Sequence, residues 1–199
     1  SEDYKTFYPT NVLVTGYDII TFWISRMMTQ GLELTNQNPF KDIVVHGIVR
    51  DSQGRKMSKS LGNGIDPIEI IEKYGADALR FSVLSGTTMG NDIRYMPEKL
   101  EQASNFANKI WNAAKFIKMN SVEDKEVIKF FNENYDGKAH SFKENSLKIE
   151  DKWIISKLNK AIKDITKNIE NYDLGVALDN IYNFIWNEFC DWYIEMVKT

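Results

Sequence analysis

Apolar residues recur along this chain in two different rhythms, and the change falls near Pro97. Ahead of it lie short β-branched runs. Asn11-Val12-Leu13-Val14-Thr15, cut by Gly16, predicts a buried strand. Ile43-Val44-Val45-His46-Gly47-Ile48-Val49 is too apolar for a half-exposed strand and predicts an interior strand of a parallel sheet. Between the two, Asp18 stands at an N-cap position ahead of Ile19, Ile20, Phe22, Trp23, Ile24, Met27 and Met28, with Gly31 as the stop. Strand, glycine turn and helix in that order make a βα unit of an open parallel sheet. Asp66-Pro67 opens a further helix, with a cap and a proline at its first position, and Gly75 can end it. Residues 76–81 begin a short helical piece that closes near Gly86, and residues 87–92 read as a loop. That loop predicts a division into domains 1–95 and 96–199.

Beyond Pro97 the period becomes helical. Leu100, Ala103, Ala107, Ile110, Ala114 and Ile117 form one stripe, Ile154, Leu158, Ile162, Ile165 and Ile169 a second, and Leu174, Leu178, Ile181, Ile185 and Trp192 a third. Residues 120–148 are polar, with Asp136-Gly137-Lys138 as a turn, and predict a loop carrying one short helix. Long helices with short connections imply an antiparallel bundle. The fold class expected is thus α/β followed by all-α.

Composition narrows the chemistry. The 199 residues carry a net charge of −3, so no global field draws the chain to nucleic acid, and RNA contacts must be local. All five arginines lie at or before Arg94, leaving lysine as the only cation type of the helical half. A lone cysteine, Cys190, excludes an internal disulfide and a cysteine-rich zinc site and fits a reducing cytoplasm. With His46 and His140 the only histidines, no metal ligands are expected. No apolar run is long enough to span a bilayer, which removes membrane insertion, and residues 1–4 have no secretion-signal pattern. There is no internal repeat, low-complexity tract or Walker-type phosphate loop.

The chemistry concentrates in residues 50–63, directly after the second apolar run. Between Arg50 and Lys59 stand four cations, Arg50, Arg55, Lys56 and Lys59, against one anion, Asp51, with Ser58 and Ser60 interleaved. Lysine is a mobile point charge on a flexible stem and can follow charge as it moves. Ligands of open parallel sheets bind outside the carboxyl ends of the strands, where both Gly16-Asp18 and this loop fall, so the two stretches should face one phosphate-binding site. An arbitrary basic loop is more often a solvated turn. Lone roles are available for the others too: Asp18 as a cap, His46 as a structural side chain, Trp23 as core.

Lys56-Met57-Ser58-Lys59-Ser60 matches the signature pentapeptide of class I aminoacyl-tRNA synthetases letter for letter. Gly16-Tyr17-Asp18-Ile19-Ile20 with Trp23, 46–51, 75–81 and 186–193 resemble the valyl branch of that family in order, and the resemblance weakens only over about 120–148. Isoleucyl and leucyl branches share the pentapeptide and the helical half. The residue after the aspartate separates the branches, since isoleucyl members usually have glutamine where Ile19 stands. The family's His-x-Gly-His signature is absent, as is its editing domain. The resemblance therefore implies a fragment, nearly inactive alone: the second half of a Rossmann-like catalytic domain and a helical anticodon-binding domain.

The resemblance implies specific roles. Lys56, Ser58 and Lys59 would stabilise the pyrophosphate leaving group of ATP, with Mg²⁺ on the phosphates. Gly16 and Asp18 would contact ribose, and His46, Gly47 and the main chain of Ile48 the adenine. Ile19 and Trp23, at i and i+4, would wall the valine pocket. Partners would be ATP, valine and tRNA(Val), the last met by the helical domain, where Trp111, Phe116, Trp153, Trp186 and Trp192 could stack on bases and Lys109, Lys115 and Lys118 meet phosphates. The parent would be monomeric. A non-catalytic tRNA-binding module, or another branched-chain synthetase, are the rival expectations.

Overall fold

The computed structural model describes all residues except 122–124, 126–128, 130–146 and 199. The turn and short helix expected within 120–148, and His140, therefore lie largely outside the described residues. The chain divides into two compact units, residues 1–66 with 86–96 and residues 67–85 with 97–199. The break expected at residue 95 and the compact units thus differ over 67–85. Those residues form α3 (Pro67–Tyr74) and α4 (Ala76–Leu84), whose apolar faces pack on the long helix α5 (Pro97–Asn120).

The first unit opens with α1 (Glu2–Phe7) and is built on β1 (Thr10–Gly16) and β2 (Phe40–His46). The two strands run parallel, with Thr10 opposite Phe40 and Gly16 opposite His46, so both carboxyl ends finish side by side. β2 is parallel as expected, but among the described residues it pairs only with β1. Its faces stay partly open: Ile43 and, on β1, Val14 are exposed, whereas Phe40 and Val44 are buried. The second apolar run is also not one strand. It breaks at Gly47-Ile48, and a two-residue strand β3 (Val49–Arg50) turns to pair in parallel with β4 (Ile93–Arg94), directly after the expected loop 87–92.

The connection between β1 and β2 departs from the α-helix expected at Asp18. Residues Tyr17–Ile19 form a 3₁₀ turn and Ile20–Ile24 a π-helical turn before α2 (Ser25–Thr35) begins. Asp18 makes no capping hydrogen bond, because its carboxylate faces another partner. Gly31 lies inside α2, which ends at Asn36 in the left-handed conformation. Ile24 at 1 % exposure anchors the connection.

In the second unit, α5 is followed by α6 (Ile149–Glu170), α7 (Leu174–Asn183), a π-helical stretch Phe184–Tyr193 and α8 (Ile194–Val197). α6 and α7 pack on each other across a three-residue link, Asn171–Asp173, as a helical hairpin. The core holds Leu100, Ala103 and Phe106 of α5, Ile154 of α6 and Ala177 of α7. Phe81, Phe106, Tyr182 and Trp186 cluster with ring centroids 4.7–6.3 Å apart, in range for favourable aromatic contacts. All three stripes hold only in part, and in the second Ile162 and Ile169 are exposed. Ala107, Ile110 and Ile117 are exposed, and the first stripe's place is taken by Phe106. Through 184–193 hydrogen bonds run i to i+5, so the 3.6-residue period fails; Trp192 turns outward while Cys190 and Ile194 turn in.

Candidate functional site

The paired strand ends create the first half of the site. Gly16 is buried beside His46 in register, and a Cβ at position 16 would sit 2.8 Å from Asp18 Oδ1 and 3.7 Å from His46 Cε1. Glycine is what lets the Asp18 carboxylate fold back against the strand end. His46 Nδ1 lies 2.7 Å from the Gly47 carbonyl. A carbonyl only accepts, so Nδ1 carries the proton of that contact, with the rest of the ring at the exposed edge.

The basic loop supplies the second half. Lys56 Nζ reaches Asp18 Oδ2 at 3.1 Å, joining the loop to the first half of the site. Asp51, at 6 % exposure the buried foot of the loop, accepts from Gln53 N at 3.0 Å, Arg55 N at 2.8 Å, Arg55 Nε at 2.8 Å and Asn63 Nδ2 at 2.9 Å. Those donors, Asn63 first, hold its carboxyl well below the usual carboxylate range against the opposing effect of burial. Gly54, at φ +82°, closes the turn back to the Asp51 carbonyl, a conformation other residues resist. Ser58 N donates to Asn63 Oδ1 at 2.9 Å, and Ser58 Oγ accepts from Leu61 N at 3.3 Å and lies 3.2 Å from Ser60 Oγ. Among the described residues no carboxylate lies within ion-pair distance of Lys59, whose exposed ammonium is left free.

A residue missed in the sequence holds the halves in register. Asp92 Oδ1 accepts from Ile48 N at 2.8 Å, and Oδ2 accepts from Arg50 Nε at 2.5 Å and from Tyr17 OH at 3.1 Å. The Ile48 amide donor most of all, then Arg50 and Tyr17, hold the Asp92 carboxyl below its ordinary range, and Asp92 in turn raises the Arg50 guanidinium. The Ile48 carbonyl accepts from Ile93 N at 3.1 Å, so both main-chain groups expected to face adenine already have partners. The 91–92 backbone presses on Gly47 so closely that a Cβ there would sit 1.9 Å from the Asn91 carbonyl oxygen. Asp92 had no sequence signal beyond being an acid in a loop; its partners are 42 to 75 residues away.

Gly16, Asp18, His46, Gly47 and Lys56 are thus brought together, with Ser58 on the same loop. Ile19 and Trp23 lie in the 3₁₀ and π-helical turns after β1, at 42 % and 56 % exposure, rather than on one α-helix. In the helical unit Trp186 is half-buried in the aromatic cluster: it stacks on Tyr182, and Lys109 Nζ sits 3.9 Å above its ring while bonding Asp191 at 2.5 Å. Trp111 and Trp192 are exposed. Among the described residues no cluster of three metal-ligating side chains occurs, and no helix is long and apolar enough to cross a membrane.

Residues 1–96 match the family model for tRNA synthetases class I (I, L, M and V), and residues 151–199 that for the anticodon-binding domain of tRNA ligase. Along its whole length the chain is 53 % identical to a valine–tRNA ligase of Clostridium tetani and 52 % identical to one of Clostridium perfringens. It spans 21 % of the length of those relatives. A methionyl-tRNA synthetase of Mycobacterium tuberculosis bound by methionyl-adenylate aligns over 98 % of this chain and 36 % of its own, with TM-score 0.67 and 24 % identity. An Agrobacterium radiobacter LeuRS–tRNA–LeuAMS complex aligns over 91 % of this chain and 23 % of its own, with TM-score 0.65 and 23 % identity. The last two establish the fold.

Proposed function

Because residues 1–96 belong to the class I tRNA synthetases and residues 151–199 to the anticodon-binding domains of tRNA ligases, we propose that this chain works within a valine–tRNA ligase. In this reading it supplies the basic-loop side of the ATP site and a tRNA-binding helical domain to a monomeric, cytoplasmic enzyme. The observation that carries it is the meeting of Gly16, Asp18, His46 and Lys56 at the carboxyl ends of two parallel strands. The whole-length identity to valine–tRNA ligases selects the amino acid.

Activation is an in-line attack of a valine carboxylate oxygen on the α-phosphorus of ATP. The new P–O bond forms as the bond to pyrophosphate breaks, and negative charge grows on the leaving oxygens. Cations placed there stabilise the transition state more than the ground state. Lys59, unpaired, is free to follow that charge, and Ser58 adds a hydroxyl donor. Asp18 accepts from the two ribose hydroxyls, which compete with Lys56 for its carboxylate and so release the Lys56 ammonium toward phosphate. His46 and Gly47 flank the adenine side. Mg²⁺ is carried in on the ATP phosphates, as that ion is commonly held through its substrate, and no carboxylate cage in this chain is needed for it. In the second step the 2′-hydroxyl of the terminal adenosine of tRNA(Val) attacks the valyl carbonyl and AMP leaves.

Ile19 and Trp23 give the valine pocket its apolar wall, which disfavours larger side chains. In the helical domain Trp111 and Trp192 are the exposed tryptophans left for stacking on unpaired bases, since Trp186 and Lys109 are engaged in packing. ATP–pyrophosphate exchange by the complete enzyme, run with valine, isoleucine, leucine and no amino acid, tests the reading. Valine should support exchange at least about 100-fold better than isoleucine, the scale a size-limited apolar pocket can reach. Equal rates with isoleucine or leucine would move the chain to another branch.

A further inference from the structure

The loop assigned to ATP has an internal support that neither its charges nor its pentapeptide reveals. The side-chain amide of Asn63 engages three separate places. Its Oδ1 accepts from Ser58 N at 2.9 Å, while its Nδ2 donates to Asp51 Oδ2 at 2.9 Å and to the Lys56 carbonyl at 3.3 Å. Asp51 is the buried foot of the loop, and its other acceptor sites are filled by the amides of Gln53 and Arg55 and by Arg55 Nε. One residue therefore ties both flanks of Met57 to a fixed anion. The orientation of the amide is set by chemistry, because the flipped form would put a donor against the Ser58 N–H and an oxygen against the carboxylate. Lys59 stands outside the tie: only its carbonyl is held, by Gly62 N at 3.3 Å.

We propose that Asp51 and Asn63 form a clasp that positions Lys56 and Ser58 for phosphate, with Asn63 a positioning residue of the activation site. The clasp divides the loop into a held part, Lys56 to Ser58, and a mobile cation, Lys59. Loop position before phosphate arrives is then set by the neutral amide of Asn63 and the foot at Asp51 together with the Lys56–Asp18 pair, and the Lys59 charge is left for substrate. The inference rests on the assignment of this loop to ATP.

The polarity of the pair permits a swap. Asp51→Asn opposes two amide donors, and Asn63→Asp opposes two carboxylates. In the double variant the amide introduced at 51 donates to the carboxylate introduced at 63, which still accepts from Ser58 N, while Arg55 Nε and the Lys56 carbonyl each lose a partner. Kinetics of valine-dependent ATP–pyrophosphate exchange by the complete enzyme read the outcome. Each single variant should lower kcat/KM for ATP by about 10-fold or more, the cost of leaving a buried polar group opposed, with KM for valine nearly unchanged. The double variant should exceed the worse single by about 3-fold or more without reaching the parent, the mark of coupling between neighbours. A double variant no better than the worse single, or singles with unaltered ATP kinetics, overturns the clasp. Should a charge-altered single variant fail to fold, Asn63→Ala replaces it, and unaltered ATP kinetics there is equally decisive against it. If the parent enzyme shows no valine-dependent exchange, the assignment to ATP falls, and the clasp is read alone from amide hydrogen exchange in this chain. Ser58 N–H should then exchange more slowly in the parent than in Asn63→Ala, and equal rates overturn it.

Discussion

A methyl group at position 47 would overlap the Asn91 carbonyl, so a residue with no side chain decides how closely the 91–92 backbone can approach the strand end. Gly47→Ala should therefore lower stability by about 2–4 kcal/mol, because backbone rather than a flexible side chain must shift; thermal unfolding measures it. Asp92, one residue on, depends on that approach. Its carboxyl and that of Asp51 are both lowered from a value near 3.8, so each contributes stability that is complete above that value and is lost as pH falls through the depressed native one. Unfolding temperature should thus show no pH dependence from these groups between about pH 8 and 5 and an acid limb below about pH 4, shallower in Asp92→Asn. At this scale the sequence was legible where charge density or spacing marked a residue, as for Lys56, Lys59 and Asp18. It was not legible for Asp92 or Asn63, whose meaning lies in hydrogen bonds to groups that only folding brings near.

Among elements, the strands and most helices followed from apolar period and punctuation: β1 ends at Gly16, α3 begins at Pro67 and stops before Gly75. Two of the departures share one cause. Where the backbone leaves the α-helical period, at 17–24 and again at 184–193, side chains turn to faces that a 3.6-residue count does not foresee. Phe106 departs from the count on a regular α-helix: at 5 % exposure it joins the rings of Phe81, Tyr182 and Trp186 from a position outside the counted stripe. Phe106→Ala should cost about 3–5 kcal/mol, read from denaturant unfolding of the helical unit. Tyr193, at the end of the π-helical stretch, donates its hydroxyl to Asp151 at 2.8 Å. Burial first, then that carboxylate, push its phenol from 10.0 up to about 12. A raised native value means this stabilisation is complete below pH 10 and is lost toward pH 12, so alkaline unfolding should steepen in that window and flatten in Tyr193→Phe.

For the molecule as a whole, the division of labour was legible: a parallel strand pair with a basic loop, then helices. The assignment of 67–85 was not, because the helices α3 and α4 carry no mark saying which core they join; their packing on α5 does. Parallel pairing of β3 with β4 escaped notice because a strand of two residues has no alternation to detect. The chain spans about a fifth of the length of the relatives it matches. In the proposed function the free cation of the loop stabilises departing pyrophosphate during valine activation. Lys59→Ala, assayed by valine-dependent ATP–pyrophosphate exchange, tests this most directly. Loss of one such charge should lower kcat by about 100-fold or more, with KM for valine little changed. An unchanged kcat would contradict it, leaving a helical module that binds tRNA beside a loop without a catalytic part.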